Sequence, residues 1–153
     1  MNILSIEKDV KYNFKFKKQF QEILDVFARV LNYKTNLKVD VLITNNKGIK
    51  IISNDYRNID KETDVLSFPF NFDNQTIETL GFNFLGEIIL SYEKIQEQAK
   101  KFNHSIKREF CFLFAHGLVH LSGRDHKKNK KEEEDFNSIV NEIIEKVKIF
   151  RKI

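Results

Sequence analysis

Three of the chain's 4 histidines fall in the segment HGLVHLSGRDH, at His116, His120 and His126. On a helix, side chains four residues apart share a face one turn apart, so His116 and His120 can grip one cation together. The helix must then stop, because continuing it would carry the next histidine away from that cation. Gly123 tolerates the positive φ that turns the chain, and His126 can swing back as a third ligand. Three imidazole nitrogens at ~2.0–2.1 Å leave one position of a tetrahedral zinc ion open, as a catalytic site requires. Nickel, copper and iron also suit imidazole, so zinc is the expected metal rather than a necessary one. A metal so held lowers the pKa of its water to about 7 and supplies hydroxide at neutral pH. The competing reading is three hydrogen-bonded histidines in a buried helix and its cap. Several imidazoles in an apolar setting are costly unless each is hydrogen-bonded, so the spacing favours a metal site. His104, in a polar stretch, is expected at the surface.

The histidine spacing and the glycine are shared with metzincin peptidases. Those enzymes carry Glu after the first histidine as general base. Here that position is Gly117, so the helix offers ligands without an adjacent base, which weakens a peptidase or amidase reading.

The elements that must hold these residues follow from hydrophobic period. Arg108 to Leu121 is apolar on nearly every face, as a buried central helix is, with Gly123 placed for a left-handed cap. Phe16, Phe20, Ile23, Leu24, Phe27, Val30 and Leu31 recur at helical spacing within residues 13–33, and Phe136 to Val147 form a last amphipathic helix. Ile49, Ile52 and Tyr56 suit one helical stripe, and Ile95, Ala99 and Phe102 another, opened by Ser91 and Glu93. Strands are expected at residues 1–7, at Val39–Ile43 by alternation, at Thr63–Phe70 and at Leu85–Tyr92; Pro69 marks an edge or an exit. Residues 72–83 read as a loop. The uneven alternation gives an α+β class: a small mixed sheet with about five helices, the metal site lying on the buried central helix and the following turn.

Composition bounds the function. A chain of 153 residues fits one domain, 1–153, with a sizeable core. Its formal charge of +4, from 26 basic and 22 acidic residues, favours polyanions only weakly. Cys111 is the 1 cysteine, which excludes an intrachain disulfide and a Cys-based zinc site and fits a reducing compartment. It lies in an apolar run and reads as a small core residue. No secretory signal or bilayer-length apolar stretch is evident, so the cytoplasm is the expected location and no membrane partner is expected.

At this point the sequence resembles the YbeY family of bacterial endoribonucleases, also called ribosomal RNA maturation factors. One family motif is matched by His116, Gly117, His120, Leu121, Gly123, Asp125 and His126. A second is matched by Asn54, Tyr56 and Arg57, followed by Thr63 to Pro69. A third is Leu85, Gly86, Glu87 and Ile88, where the family usually has Asp in place of Glu87. The resemblance runs from about Val39 to the last helix. It implies an α+β fold, metal-dependent cleavage of single-stranded RNA, a role in ribosomal RNA processing and ribosome assembly, and possible contact with proteins of the small ribosomal subunit.

With that resemblance Arg57 is read as the group that anchors the scissile phosphate and stabilises charge growing on it. Without it, an arginine complementing a helix C-terminus is the simpler reading. His116 and Arg57 are thus the expected catalytic pair. Asp64 and Ser67 either line the cleft or brace a loop, and Asp125 either orients a ligand imidazole or is a plain loop carboxylate. Glu87 is a candidate proton acceptor if it reaches the cleft. The nucleophile is either metal-activated water or the RNA 2′-hydroxyl. Phe68, Phe70, Phe72, Phe82 and Phe84 suit core or strand-face positions better than base stacking in so Phe-rich a chain. Lys127, Lys128, Lys130 and Lys131 are followed at once by Glu132 to Asp135, the pattern of a solvated helix start. Two other functions stand as alternatives: a metallohydrolase of a peptide or amide bond, and a non-catalytic ribosome-assembly factor with a structural metal.

Overall fold

The computed structural model describes residues 1–58, 63–124 and 129–148, with the side chain of Arg57 outside that description. Among the described residues the chain runs β1 (Ile3–Lys8), α1 (Lys17–Val30), β2 (Asn36–Thr44), α2 (Asn46–Arg57), β3 (Val65–Pro69), α3 (Asn74–Leu80), β4 (Phe82–Ser91), α4 (Tyr92–Lys101), α5 (Ile106–Leu121) and α6 (Lys130–Val147). The sheet order is β1-β2-β4-β3. β1, β2 and β4 run parallel, and β3 pairs antiparallel on the edge of β4. The α+β class and the mixed sheet are as expected.

Side-chain alternation divides the sheet into two faces. Val39, Val41, Ile43, Ile88 and Leu90 point into the main core with Phe20, Phe27, Phe114, Leu118 and Ile143 of α1, α5 and α6. On the other face Leu42, Leu66 and Ile89 meet Ile49 and Ile52 of α2 in a smaller cluster. α5 is thus a central helix, buried along most of its length. Burial pushes the Cys111 thiol up to about 12, as befits a core residue.

A bulge breaks this alternation where it matters for the site. Lys38 pairs with Phe84 but Val39 pairs with Gly86, so Leu85 is an extra residue in β4. Leu85 and Ile88 therefore share the main core, although strict alternation would set them on opposite faces. Gly86 has a φ of +139°, and a Cβ there would run into the Phe68 carbonyl oxygen. Only glycine suits that backbone.

Several helix boundaries follow local chemistry. Asn45, Asp73, Ser91, Ser105 and Asn129 each accept a backbone N–H at a helix start. Residues 72–83 are not a plain loop as expected: Asp73 caps the short helix α3 and Gly81 ends it in the left-handed conformation. No side chain of α3 is buried, so it has no apolar stripe for periodicity to reveal. α3 raises the helices to six among the described residues, against an expected five or so. Tyr56 is not on the buried stripe of α2; it is 75% exposed. Phe102 caps the end of α4 and is exposed rather than buried. His104 is not a free surface residue, because its Nδ1 lies 2.9 Å from Oε1 of the buried Glu109, joining the α4–α5 corner.

Candidate metal and RNA-cleavage site

His116 and His120 project from the last two turns of α5. Their ring centroids are 4.8 Å apart with planes at 67°. Two imidazoles bound to one ion at ~2.0–2.1 Å set their ring centres about 5 Å apart, so the pair fits a shared metal ion. Both rings are half-buried while the residues between them are buried. The pair therefore sits at a rim, walled by the core yet open to solvent.

The wall comes from elements distant in sequence. Phe136 of α6 is fully buried and places its ring 4.8 Å from His116 and 4.7 Å from His120. It backs both imidazoles at once and keeps water from that side. Sequence reading put Phe136 on the apolar stripe of a helix without linking it to the histidines. On the flank, Gly117 faces β3 and β4: a Cβ there would lie 3.0 Å from Ile88 Cδ1 and 3.2 Å from Ser67 Oγ. The glycine lets the ligand-bearing turn approach the sheet. A glutamate at this position, as peptidases of similar spacing carry, would be driven into Ile88 and Ser67.

α5 ends as expected for a third ligand to return. Ser122 is the C-cap, and Gly123 follows with a φ of +94°, its N–H donating to the His120 carbonyl at 3.0 Å. His126 and Asp125 lie outside the described residues, as do Lys127 and Lys128. Among the described residues, no three His, Cys, Asp or Glu side chains gather in metal-binding geometry. Of the three expected ligands, His116 and His120 lie within the described residues, side by side on α5.

The other expected site residues separate clearly. Ser67 of β3 faces α5 beside Gly117. Asp64 braces its own loop: Oδ1 accepts the Val65 N–H at 2.7 Å, and its carbonyl accepts the Ser91 N–H at 3.0 Å. Arg57 is the last residue of α2; its side chain lies outside the described part. Glu87, once a candidate proton acceptor, is on the face of the sheet away from α5. It shares a small polar cavity with Ser5, Glu7, Lys38 and Asp40. Desolvation, with Asp40 and Glu7 nearby, raises its carboxyl above the ordinary range. Its neighbour Ile88 is what meets Gly117, so alternation turns Glu87 away from the histidines. Lys130 and Lys131 open α6, with Glu132 and Glu133 in its first turn, which is the solvated helix start that was expected.

Residues 2–148 match the family model described as Endoribonuclease YbeY. The chain is 49% identical to the Endoribonuclease YbeY of Mycoplasmopsis pulmonis, covering 99% of this chain and 100% of that one. It is 48% identical to the protein of the same name from Mycoplasma mobile, covering 99% and 98%. A more distant relative, from Clostridium botulinum, is 38% identical over 78% of this chain and 81% of its own. The solution structure of TM1509 from Thermotoga maritima superposes with a TM-score of 0.60 over 94% of this chain and 91% of that one, at 24% identity.

Proposed function

Because the chain belongs to the endoribonuclease YbeY family, we propose that it is a metal-dependent endoribonuclease that cuts single-stranded RNA in ribosomal RNA maturation. The single observation that carries the chemistry is the His116–His120 pair, 4.8 Å apart on one face of α5. His116, His120 and His126 hold one zinc ion in this reading. When bound, such an ion supplies Lewis acidity toward a phosphodiester and its attacking water.

The chain's own residues do the rest. His116 and His120 donate ring nitrogens and fix the position of the reacting phosphate. Phe136 holds both rings against rotation and excludes water behind them. Gly117 lets α5 sit close enough to β3 for Ser67 to border the site. Arg57 binds the scissile phosphate as a planar fork of donors and stabilises the charge it gains. The place of Arg57 supports this: it ends α2, whose Tyr56 ring lies 5.6 Å from that of Phe68 on β3, and β3 also contacts α5. Glu87 takes no part: it lines a cavity with Ser5, Glu7, Lys38 and Asp40 of β1 and β2, away from the edge strand β3 that α2 and α5 both reach. Ribosomal RNA is the substrate, proteins of the small ribosomal subunit are the partners, and the cytoplasm is the location. No helix among the described residues is long and apolar enough to cross a membrane.

Metal analysis coupled to an RNA-cleavage assay tests this on the wild type, His116→Ala and His120→Ala. The expected result is one zinc per chain and cleavage, both lost in the variants. Stoichiometric metal with cleavage that ignores the histidines would reject the catalytic assignment and leave an assembly factor. Cleavage of peptides but not RNA would reject the substrate.

A further inference from the structure

The chain's positive charge is concentrated in two segments that the fold brings together. Residues 8–18 and 100–108 carry nine lysines and arginines against one acid, Asp9, although the whole chain is only +4. The rest of the chain is therefore net negative. Aromatic contacts join the two segments beside the start of α5. Tyr12 stacks on Tyr92 of α4 at 4.3 Å between centroids, and Tyr12, Phe14 and Phe16 meet Phe110 at 6.1, 5.2 and 5.7 Å. With these rings turned inward, Lys11 and Lys15 alternate outward, and Lys17, Lys18, Lys100 and Lys101 are exposed as well.

Lys100 and Lys101 complement the C-terminus of α4, but Lys17 and Lys18 work against the fold. They open α1, which has no acid in its first turn and no side-chain cap, and the dipole disfavours cations at that end. Nearby acids do not neutralise the cluster. Glu109 is bonded to His104, Glu97 lies 3.7 Å from Lys94, and Glu93 accepts the Asn46 N–H. Asp9 and Glu22 remain against nine cations.

One line of half-buried residues joins this cluster to the histidines. From Glu109 to Leu121, α5 is buried except at Phe112, His116 and His120, and Arg108, also half-buried, precedes them by one turn. Each step of four residues advances about 6 Å along the helix and keeps to one face. The Phe112 ring lies 6.5 Å from that of His116 and packs against the main core, which fixes its position. We infer that this line is a track for single-stranded RNA, running from the histidine pair over the Phe112 ring to a phosphate-binding surface made by Lys17, Lys18, Lys101 and Lys107. The inference rests on the RNA-cleaving reading above and adds where the RNA flanking the cut lies. A strand cut at the histidines lies on the solvent-open side of α5; a ring there can stack a base, and clustered lysines beyond it suit the phosphates. A membrane suits this end less well. With Tyr12, Phe14 and Phe16 turned inward, the large apolar side chains exposed here are Phe102 and Ile106, too few for an inserted face.

The test reads salt dependence, which counts phosphate contacts. A fluorescent single-stranded 2′-O-methyl phosphorothioate RNA of about 16 nucleotides, chosen to resist cleavage, is titrated with the full chain at about 50 to 200 mM salt and read by anisotropy. Each phosphate contact contributes about −0.7 to the slope of log affinity on log salt. The triple variant Lys17→Gln/Lys18→Gln/Lys101→Gln is expected to make that slope shallower by about 2, whatever the RNA sequence. Lys34→Gln/Lys47→Gln/Lys146→Gln, an equal loss of charge elsewhere, is expected to leave it nearly unchanged. Phe112→Leu, which keeps apolar bulk without a π-face, is expected to weaken binding roughly 5- to 100-fold at unchanged slope, and Phe112→Tyr to bind as the wild type does. An unchanged slope in the first triple variant overturns the phosphate surface, and so does an equal change in the second, which would mark diffuse attraction. Full binding by Phe112→Leu, or loss of binding in Phe112→Tyr, overturns the track over that ring. Tighter binding to phosphatidylglycerol vesicles than to RNA, lost in the first triple variant, would overturn the assignment in favour of a membrane. Cleavage that ignores His116 would sink the metal reading and leave these slopes standing.

Discussion

Gly117 of α5 and Ile88 of β4 meet so closely that a single added carbon on the glycine would stand 3.0 Å from Ile88 Cδ1 and 3.2 Å from its Cγ2. The contact joins the turn that bears both histidines to the strand at the centre of the site's floor. Overpacking of this kind costs about 1–3 kcal/mol, while alanine is favoured over glycine in a helix by about 1 kcal/mol. Gly117→Ala is therefore expected to lose up to about 2 kcal/mol in urea denaturation. Gly117→Glu should lose more and gain no peptidase activity. A stabilised Gly117→Ala would show that α5 has room to move.

Phe136 is expected to matter to the metal beyond its share in the core. Phe136→Ala removes a fully buried ring and should cost about 3–5 kcal/mol. Phe136→Leu keeps most of the volume and should cost much less. Because it frees both imidazoles, Phe136→Leu should still weaken zinc binding, by about 10-fold or more, as loss of a ligand-orienting partner does. Competition with a chromogenic chelator reads this. Unchanged affinity would reduce Phe136 to a packing residue.

Removing the proposed zinc ion should lower stability by an amount that grows with the logarithm of its concentration over its dissociation constant. A ligand that binds only the folded chain contributes about 2.7 kcal/mol at 100 times its dissociation constant. Thermal melting with and without a chelator is expected to show this shift in the wild type and to lose it in His120→Ala. A chelator shift that survives His120→Ala would place the metal elsewhere.

Glu87 gives a pH dependence unrelated to the site. Burial and the nearby Asp40 and Glu7 raise its folded-state carboxyl above the unfolded value of 4.5. The folded chain thus holds this proton more tightly than the unfolded chain. The ionised carboxylate penalises folding above the raised value, and the penalty vanishes below the unfolded one. Glu87→Gln should therefore stabilise at neutral pH and have little effect in acid. Equal effects of Glu87→Gln at both pH values would contradict the raised carboxyl.

Cys111 should be chemically silent. Its thiol is fully buried and pushed up to about 12, so little thiolate exists and reagents cannot reach it. Ellman's reagent is expected to label it only on unfolding. As pH rises past the ordinary thiol value of 9.0 the unfolded thiol ionises first, so this residue costs stability in alkali. Rapid labelling of Cys111 in the native chain would mean that the centre of α5 opens readily.

The sequence by itself determined the elements whose chemistry is local. The period of α1, the apolar length of α5 and the glycine after it were legible because helical spacing and positive φ are properties of short segments. So was the His116–His120 pair, whose four-residue spacing already sets both rings on one face. Helix α3 was not legible, because it buries nothing and so has no stripe. Tertiary structure alone decided which distant groups meet the histidines. Phe136 reached them because α6 folds back on α5, and Glu87 was turned away because the Leu85 bulge resets the alternation of β4. It also decided that Phe70, Phe72, Phe82 and Phe84, which suited core or strand-face positions, gather outside both buried clusters. A strand's pattern shows that residues alternate, but only its partner strand and the helix above fix which face is which.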